Sequence, residues 1–316
     1  MMAFSTADHD LILRQLARCY GLTPDQLQCL TDNPADGVYG FTRHGQAFVI
    51  KYSNTTVRSF ATLQSQVHWL DFLATQGAAV SRPVPSPRGM LVEQVPLRSA
   101  LVSTVCYARA LGVRPPVPRS TAEQWQRWGE TLGKLHALSA RYTPPLNQAP
   151  LAQWDVNVTQ DRATIPAEQT SVLAKFDALQ AYLQTLPTDP QLYGMIHGDF
   201  QANNLCLDRE TFWVIDFDNC TRHWFLTDIA TSLYFALWER PGDQSNATFA
   251  GFVLEHLWAG YAREFSLDVA WLERLPVFLK VIEMNNYRHP CLQSDDVTAQ
   301  PGSCAAKAAR FAHALS

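Results

Sequence analysis

The side chains best suited to chemistry lie between Met195 and Asp218, in the stretch M-I-H-G-D-F-Q-A-N-N-L-C-L-D-R-E-T-F-W-V-I-D-F-D. Two short apolar runs, 205–207 and 212–215, are separated by turn-forming residues at 208–211 and preceded by another such group at 201–204. A loop, a strand, a tight turn and a second strand would bring Asp199, Asn204 and Asp216 to one end of a small hairpin. Two carboxylates and an amide oxygen, with no Cys or His in the set, suit a hard cation such as Mg²⁺.

The spacing is more informative than the composition. His197, Asp199 and Asn204 satisfy H-x-D-x-x-x-x-N, and Asp216-Phe217-Asp218 follows one hairpin later. In phosphoryl transfer, an Asp of this kind accepts the proton of the attacking hydroxyl, while the Asn and the later Asp hold metal ions on the nucleotide phosphates. The chain resembles the kinase-like aminoglycoside phosphotransferase family, which includes choline and homoserine kinases. H-G-D in place of H-R-D, and D-F-D in place of D-F-G, resemble that branch rather than protein kinases. Taken singly, Asp199 and Asp208 read equally well as turn carboxylates, and Asn203-Asn204 as a plain hairpin loop; the ordered set favours the site. His197, between Ile196 and Gly198, reads as a buried imidazole that braces the loop.

The resemblance implies further roles. Lys51 would contact the nucleotide phosphates, although a lysine at the end of an apolar run is also an ordinary strand-edge charge. Glu93 and Val95 would lie at the hinge whose backbone binds adenine, and Cys206 and Ile215 would line the nucleotide site. Asp228, in D-I-A, would brace the catalytic loop by accepting hydrogen bonds from its backbone; a helix N-cap is an equally physical role. Asp218 is either a second metal ligand or a turn carboxylate. The cofactors implied are ATP (or GTP) and Mg²⁺, and the partner is a small molecule offering a hydroxyl group. Gln66 stands where the family carries a Glu to pair with the lysine, and an amide supplies no charge to hold an ammonium. That departure is the one feature favouring a nucleotide-binding module with little catalysis. A metal-dependent hydrolase built on His197, Asp199 and Asp216 would instead bind transition metals tightly without nucleotide.

The elements that must position these residues follow from periodicity. Helices are expected over 8–20, 60–75, 121–142, 168–186, 228–238, 246–265 and 269–288, with a short Ala-rich helix closing the tail at 300–316. Strands are expected over 37–51 and 90–95, the latter closing the first lobe. Residues 97–119, with three prolines, read as a surface wrap. The resemblance implies an α+β, bilobal protein-kinase-like fold: a small antiparallel-sheet N-terminal lobe over 1–96 that binds nucleotide, and a mainly helical C-terminal lobe over 97–316 that holds the catalytic and acceptor sites. His136, inside the apolar stripe of the 121–142 helix, reads as a core histidine with its hydrogen bonds satisfied. Trp224, Glu239, Glu255, Trp258, Glu283 and Tyr287 are the candidates for facing the acceptor.

Composition narrows the class. The 316 residues are 47% hydrophobic and 17% charged, which is the balance of a globular chain. A formal net charge of −4 disfavours a nucleic-acid partner. The seven cysteines form no C-x-x-C pair, so neither a zinc site nor a disulfide framework is indicated. No basic segment with an apolar core opens the chain, and no apolar run approaches the roughly 20 residues needed to cross a bilayer. A cytoplasmic setting without membrane contact is the expectation.

Overall fold

The computed structural model describes residues 6–31, 37–54, 58–96, 101–146, 148–151, 153–155, 159, 162–163 and 165–293. The side chains of 6–9, 54 and 287–293 lie outside that set, as does the whole expected tail helix at 300–316. The chain divides into two compact units. The first comprises 1–112 with 142–151 and 213–215; the second comprises 113–141, 152–212 and 216–316.

In the first unit, α1 (Thr6–Tyr20) precedes β1 (Gln28–Cys29), β2 (Val38–Arg43) and β3 (Gln46–Asn54). After α2 (Phe60–Thr75) come β4 (Pro83–Val84), β5 (Val92–Pro96) and β6 (Leu101–Ala108). All pairings are antiparallel, in the order β1-β2-β3-β6-β4, with β5 also on β6. Alternation along the strands sends Ile50, Tyr52, Val95, Val102 and Cys106 to one face, where Ile12, Leu16 and Tyr20 of α1 cover them. Val92 and Val105 point to the other face, against Leu63 and Val67 of α2. The Ser59 hydroxyl caps α2 by accepting from the Thr62 amide at 3.1 Å. Residues from later in the chain complete this unit. Tyr142 hydrogen-bonds His68 Nδ1 at 2.8 Å and packs on Phe72. Ser65 donates to the Ala149 carbonyl at 2.7 Å, and Val214 bridges Val80.

Two expectations are corrected here. The strand at 92–96 is not the last of its unit, because 101–108 forms β6, the strand that joins β3 to β4 and β5. Its residues Val102 to Cys106 are all buried, so both faces are covered and no polar alternation marks it. The expected boundary at 96 therefore falls within a sheet, and the first unit runs on to Gly112.

The second unit is mainly helical. Its helices are α3 (Ala122–Ser139), α4 (Thr170–Gln184), α5 (Leu226–Trp238), α6 (Asn246–Glu264) and α7 (Leu275–Gln293). Thr121 and Gln124 form a capping box at the start of α3, and Ser245 caps α6. β7 (Tyr193–Ile196) pairs antiparallel with β10 (Thr221–Trp224), and β8 (Leu205–Asp208) forms a hairpin with β9 (Thr211–Val214). The hairpin matches the sequence reading closely; the β7–β10 ladder was not expected. Among the described residues no helix is long and apolar enough to cross a membrane.

Helices α3 and α6 approach backbone to backbone because glycines face the contact. A Cβ on Gly129 would lie 1.9 Å from the Leu257 carbonyl oxygen, and one on Gly260 would lie 1.8 Å from that of Gln126. Gly260→Ala should therefore force the helices apart and destabilise the fold by roughly 1–3 kcal/mol. Gly251→Ala, on the same helix with nothing within 4 Å of its added methyl, should be neutral or stabilising by up to about 1 kcal/mol. Thermal unfolding of the two variants side by side checks this.

Candidate active site

The loop after β7 turns on Gly198. Its φ is +79°, and a Cβ there would sit 2.2 Å from the Asn219 carbonyl oxygen. Only glycine fits between His197 and Asp199, which accounts for the middle letter of H-G-D. Two backbone donors of this turn, the His197 and Gly198 amides, reach the carboxylate of Asp228 at 2.8 and 2.9 Å. Asp228 is fully buried in the first turn of α5, and the N-cap position belongs to Phe225. The helix-cap reading of Asp228 is thus replaced by the loop brace. His197 is buried against Phe200 and Phe217, and its Nδ1 accepts from the Asp199 amide at 3.2 Å.

Asp199 is held at both oxygens. Gln201 Nε2 donates to Oδ1 at 2.7 Å and Asn204 Nδ2 donates to Oδ2 at 2.8 Å. The same Asn204 nitrogen lies 2.9 Å from the Asp199 backbone carbonyl. Two acceptors on one atom identify that atom as the NH₂ group, so the amide oxygen of Asn204 faces away from Asp199. Burial raises the Asp199 pKa above the usual carboxylate value. The nearby Asp216 charge adds to the rise, while the bonds from Gln201 and Asn204 and the charge of His197 oppose it. Asp216 follows β9 in left-handed backbone, φ +59° and ψ +70°, a conformation costing about 1 kcal/mol outside glycine. Its carboxylate is exposed. With its nitrogen on Asp199, the Asn204 amide has oxygen as its available end, and the exposed Asp216 carries a carboxylate; both are oxygen donors of the kind a hard divalent cation takes.

The remaining sequence candidates are more scattered. Lys51 lies inside β3 rather than at its end, opposite Val105 and so on the sheet face covered by α2. Gln66 is buried on that helix. Glu93 and Val95 sit within β5, paired with Thr104 and Val102, and the Glu93 carboxylate is taken by Arg88 and Ser86. They are not at a hinge. The chain leaves the sheet only after Ala108, and the first unit's first segment ends at Gly112. Cys206 is a half-buried thiol in β8, and Ile215 follows β9. Asp218 lies in the short 3₁₀ turn Phe217–Asn219. Among the acceptor candidates, Trp224 is buried with its indole donating to the Pro187 carbonyl at 2.7 Å, so it is core. Glu239 is ion-paired with Arg114, whose Nε donates to Asn203 Oδ1 at 2.7 Å. Glu255 is exposed, Trp258 stacks on Tyr261, and burial raises the Glu283 pKa. The Tyr287 side chain lies outside the described residues.

Behind the loop lies a network that periodicity could not reveal. His136 of α3 places Nε2 3.3 Å from Asp228 Oδ2 and Nδ1 2.8 Å from the Tyr261 hydroxyl. Burial lowers the His136 pKa and raises that of Tyr261, so the imidazole is neutral and the phenol keeps its proton. Tyr261 therefore donates to Nδ1, and Nε2–H donates to Asp228. Burial alone would raise the Asp228 pKa, but the hydrogen bonds from the His136 ring and the His197 amide outweigh it and keep the carboxylate ionised.

Comparison with known proteins agrees with this geometry. A model of the phosphotransferase enzyme family matches residues 35–265. The chain belongs to that family. It is 30% identical over 280 residues to the amicoumacin kinase of Bacillus subtilis (strain 168), covering 87% of this chain and 83% of that protein. A solved structure of the amicoumacin kinase hAmiN, in complex with AMP-PNP, Ca²⁺ and Ami, superposes with a TM-score of 0.89 at 28% identity, over 98% of this chain and 93% of that one. A microcompartment-associated aminopropanol kinase shares the fold, with a TM-score of 0.72 at 23% identity, over 97% and 95% of the two chains. The fold class is the α+β, kinase-like one expected from the hairpin motif. The protein is a small-molecule kinase, an ATP-dependent phosphotransferase acting on an alcohol group.

His223 gives a direct check on the core beneath the site. It is buried with Nδ1 accepting from the Trp224 amide, and burial pushes its pKa down to about 3. The unfolded chain, with an ordinary imidazole near about 6.5, binds a proton that the folded chain refuses. The resulting stability is fully present above about pH 6.5 and falls by about 1.4 kcal/mol per pH unit below it. Urea unfolding between pH 7 and 5 should show this slope, and His223→Gln should make it shallower by about one proton.

Proposed function

We propose that Asp199 is the catalytic base, that Asn204 and Asp216 hold a divalent cation, Mg²⁺ in the cell, and that Lys51 neutralises the phosphates of ATP. The acceptor is proposed to be an amicoumacin-type antibiotic or a small amino alcohol, the classes named for the related kinases. The doubly held Asp199–Asn204 pair supports this reading most directly. It holds the carboxylate as an acceptor for a hydroxyl proton and leaves the Asn204 amide oxygen available to a cation. The bound cation would draw charge from the phosphate oxygens during transfer.

The acceptor oxygen attacks the γ-phosphorus as the bond to the bridging oxygen breaks, and ADP departs with the electron pair. The acceptor proton passes to Asp199, whose raised pKa makes it a better base than an ordinary carboxylate. Most of the rate advantage in such a reaction comes from positioning and charge stabilisation, so loss of any one group is expected to be steep.

ADP release should be stimulated by amicoumacin or aminopropanol and much less by an aminoglycoside; stimulation by the aminoglycoside alone would overturn the acceptor assignment. Asp199→Asn should lower kcat at least about a thousandfold while ATP·Mg affinity stays near wild type. The pH profile of kcat should lose activity on the acid side at a pH above the ordinary carboxylate value of about 4. Asp216→Ala should weaken ATP binding in the presence of Mg²⁺ and leave metal-free binding unchanged, as read by calorimetry.

A further inference from the structure

Asp199 sits between two anchored peptide groups, and both anchors are carried by α5. On one side the His197 and Gly198 amides bind Asp228. On the other the Phe200 carbonyl accepts from the Ser232 hydroxyl at 2.9 Å. Asp228 and Ser232 are one turn apart on the helix. Each is held in turn from α3: His136 donates to Asp228, and the Trp128 indole donates to Ser232 Oγ at 3.2 Å. Tyr261 of α6 holds the far side of His136, while Phe225 stacks on its ring at 4.5 Å. Trp128 also packs on Phe200 and Phe212, at centroid distances of 6.2 and 5.6 Å. The side chains of Asp228, Ser232, His136, Trp128 and Tyr261 are all buried, so their hydrogen bonds to one another do not compete with water.

The geometry points to Tyr261, His136, Trp128 and Ser232 as positioning residues for phosphoryl transfer, acting as two hydrogen-bonded rungs that set the backbone on either side of Asp199. None of them touches the reacting groups. Each rung ends on a main-chain atom within two residues of Asp199, so a lost rung displaces the carboxylate without removing it. Displacement of a base by a fraction of an ångström lowers kcat more than it lowers nucleotide affinity. The inference rests on the reading of Asp199 as the base.

The test uses Tyr261→Phe and Ser232→Ala, each removing one hydroxyl from a rung, with His136→Gln and His136→Leu as a rescue pair. ADP release from ATP·Mg gives kcat and KM, and hydrogen exchange of the 197–204 peptide reports the loop itself. Each hydroxyl deletion should lower kcat about tenfold with KM for ATP within about twofold of wild type, and should speed exchange in 197–204. Gln keeps a donor for Asp228 where Leu has none, so His136→Gln should retain more activity than His136→Leu. If both deletions lower the melting temperature but leave kcat and exchange at wild-type values, the residues only fill the core and the inference is overturned. Equal activity of the Gln and Leu variants would also overturn it. Asp199→Asn in the same assay separates the two ideas: wild-type ADP release by that variant removes the base assignment itself.

Discussion

A fully buried carboxylate, Asp228, organises the second unit. An ion with no water around it is stable only where donors surround it, and here they come from two backbone amides and one imidazole. Satisfying that charge requires the β7 loop to turn sharply back onto α5, and the turn requires glycine at 198. It also requires α3 close enough to deliver His136, and the close contact of α3 with α6 at Gly129, Gly133 and Gly260 brings the Tyr261 hydroxyl to the other ring nitrogen. A small-residue helix contact, a buried histidine and a catalytic loop are thus parts of one electrostatic solution.

The same logic separates rigid from poised parts of the site. Asp199 is hydrogen-bonded at both oxygens and its loop is pinned from behind. Asp216 is exposed and held in left-handed backbone. A base gains from being fixed, since its proton transfer depends steeply on distance. In its proposed role as a metal ligand, the exposed Asp216 would stay accessible to a cation arriving from solvent.

What was legible in the sequence is what short-range spacing encodes. The hairpin, the turn at 208–211 and the ordering of Asp199, Asn204 and Asp216 all lie within 20 residues, and periodicity marked the helices. β6 was missed because burial on both faces erased alternation and its proline-rich surroundings suggested a wrap. That omission put the expected end of the sheet, and with it the hinge, at Glu93–Val95, inside a strand that β6 continues. The β7–β10 ladder has strands of four residues, too short for a period to register. His136 read as a satisfied core histidine, which it is, but its partners lie 92 and 125 residues away, and no local pattern carries them. Gln66 marks a different limit: the sequence exposes the missing charge, while what its amide does in the interior depends on packing that spacing does not describe.

The first unit is discontinuous, with Tyr142 on His68 and Phe72, Ala149 on Ser65, and Val214 on Val80. A fragment ending at residue 112 would expose those surfaces and lose the ring packing and main-chain bonds that cover them. A single junction at residue 112 would therefore part the unit from segments that pack on it. During synthesis it stays incomplete until the ribosome has passed residue 215, well into the second unit. Its maturation is tied to the emergence of the hairpin that carries the phosphotransfer motif.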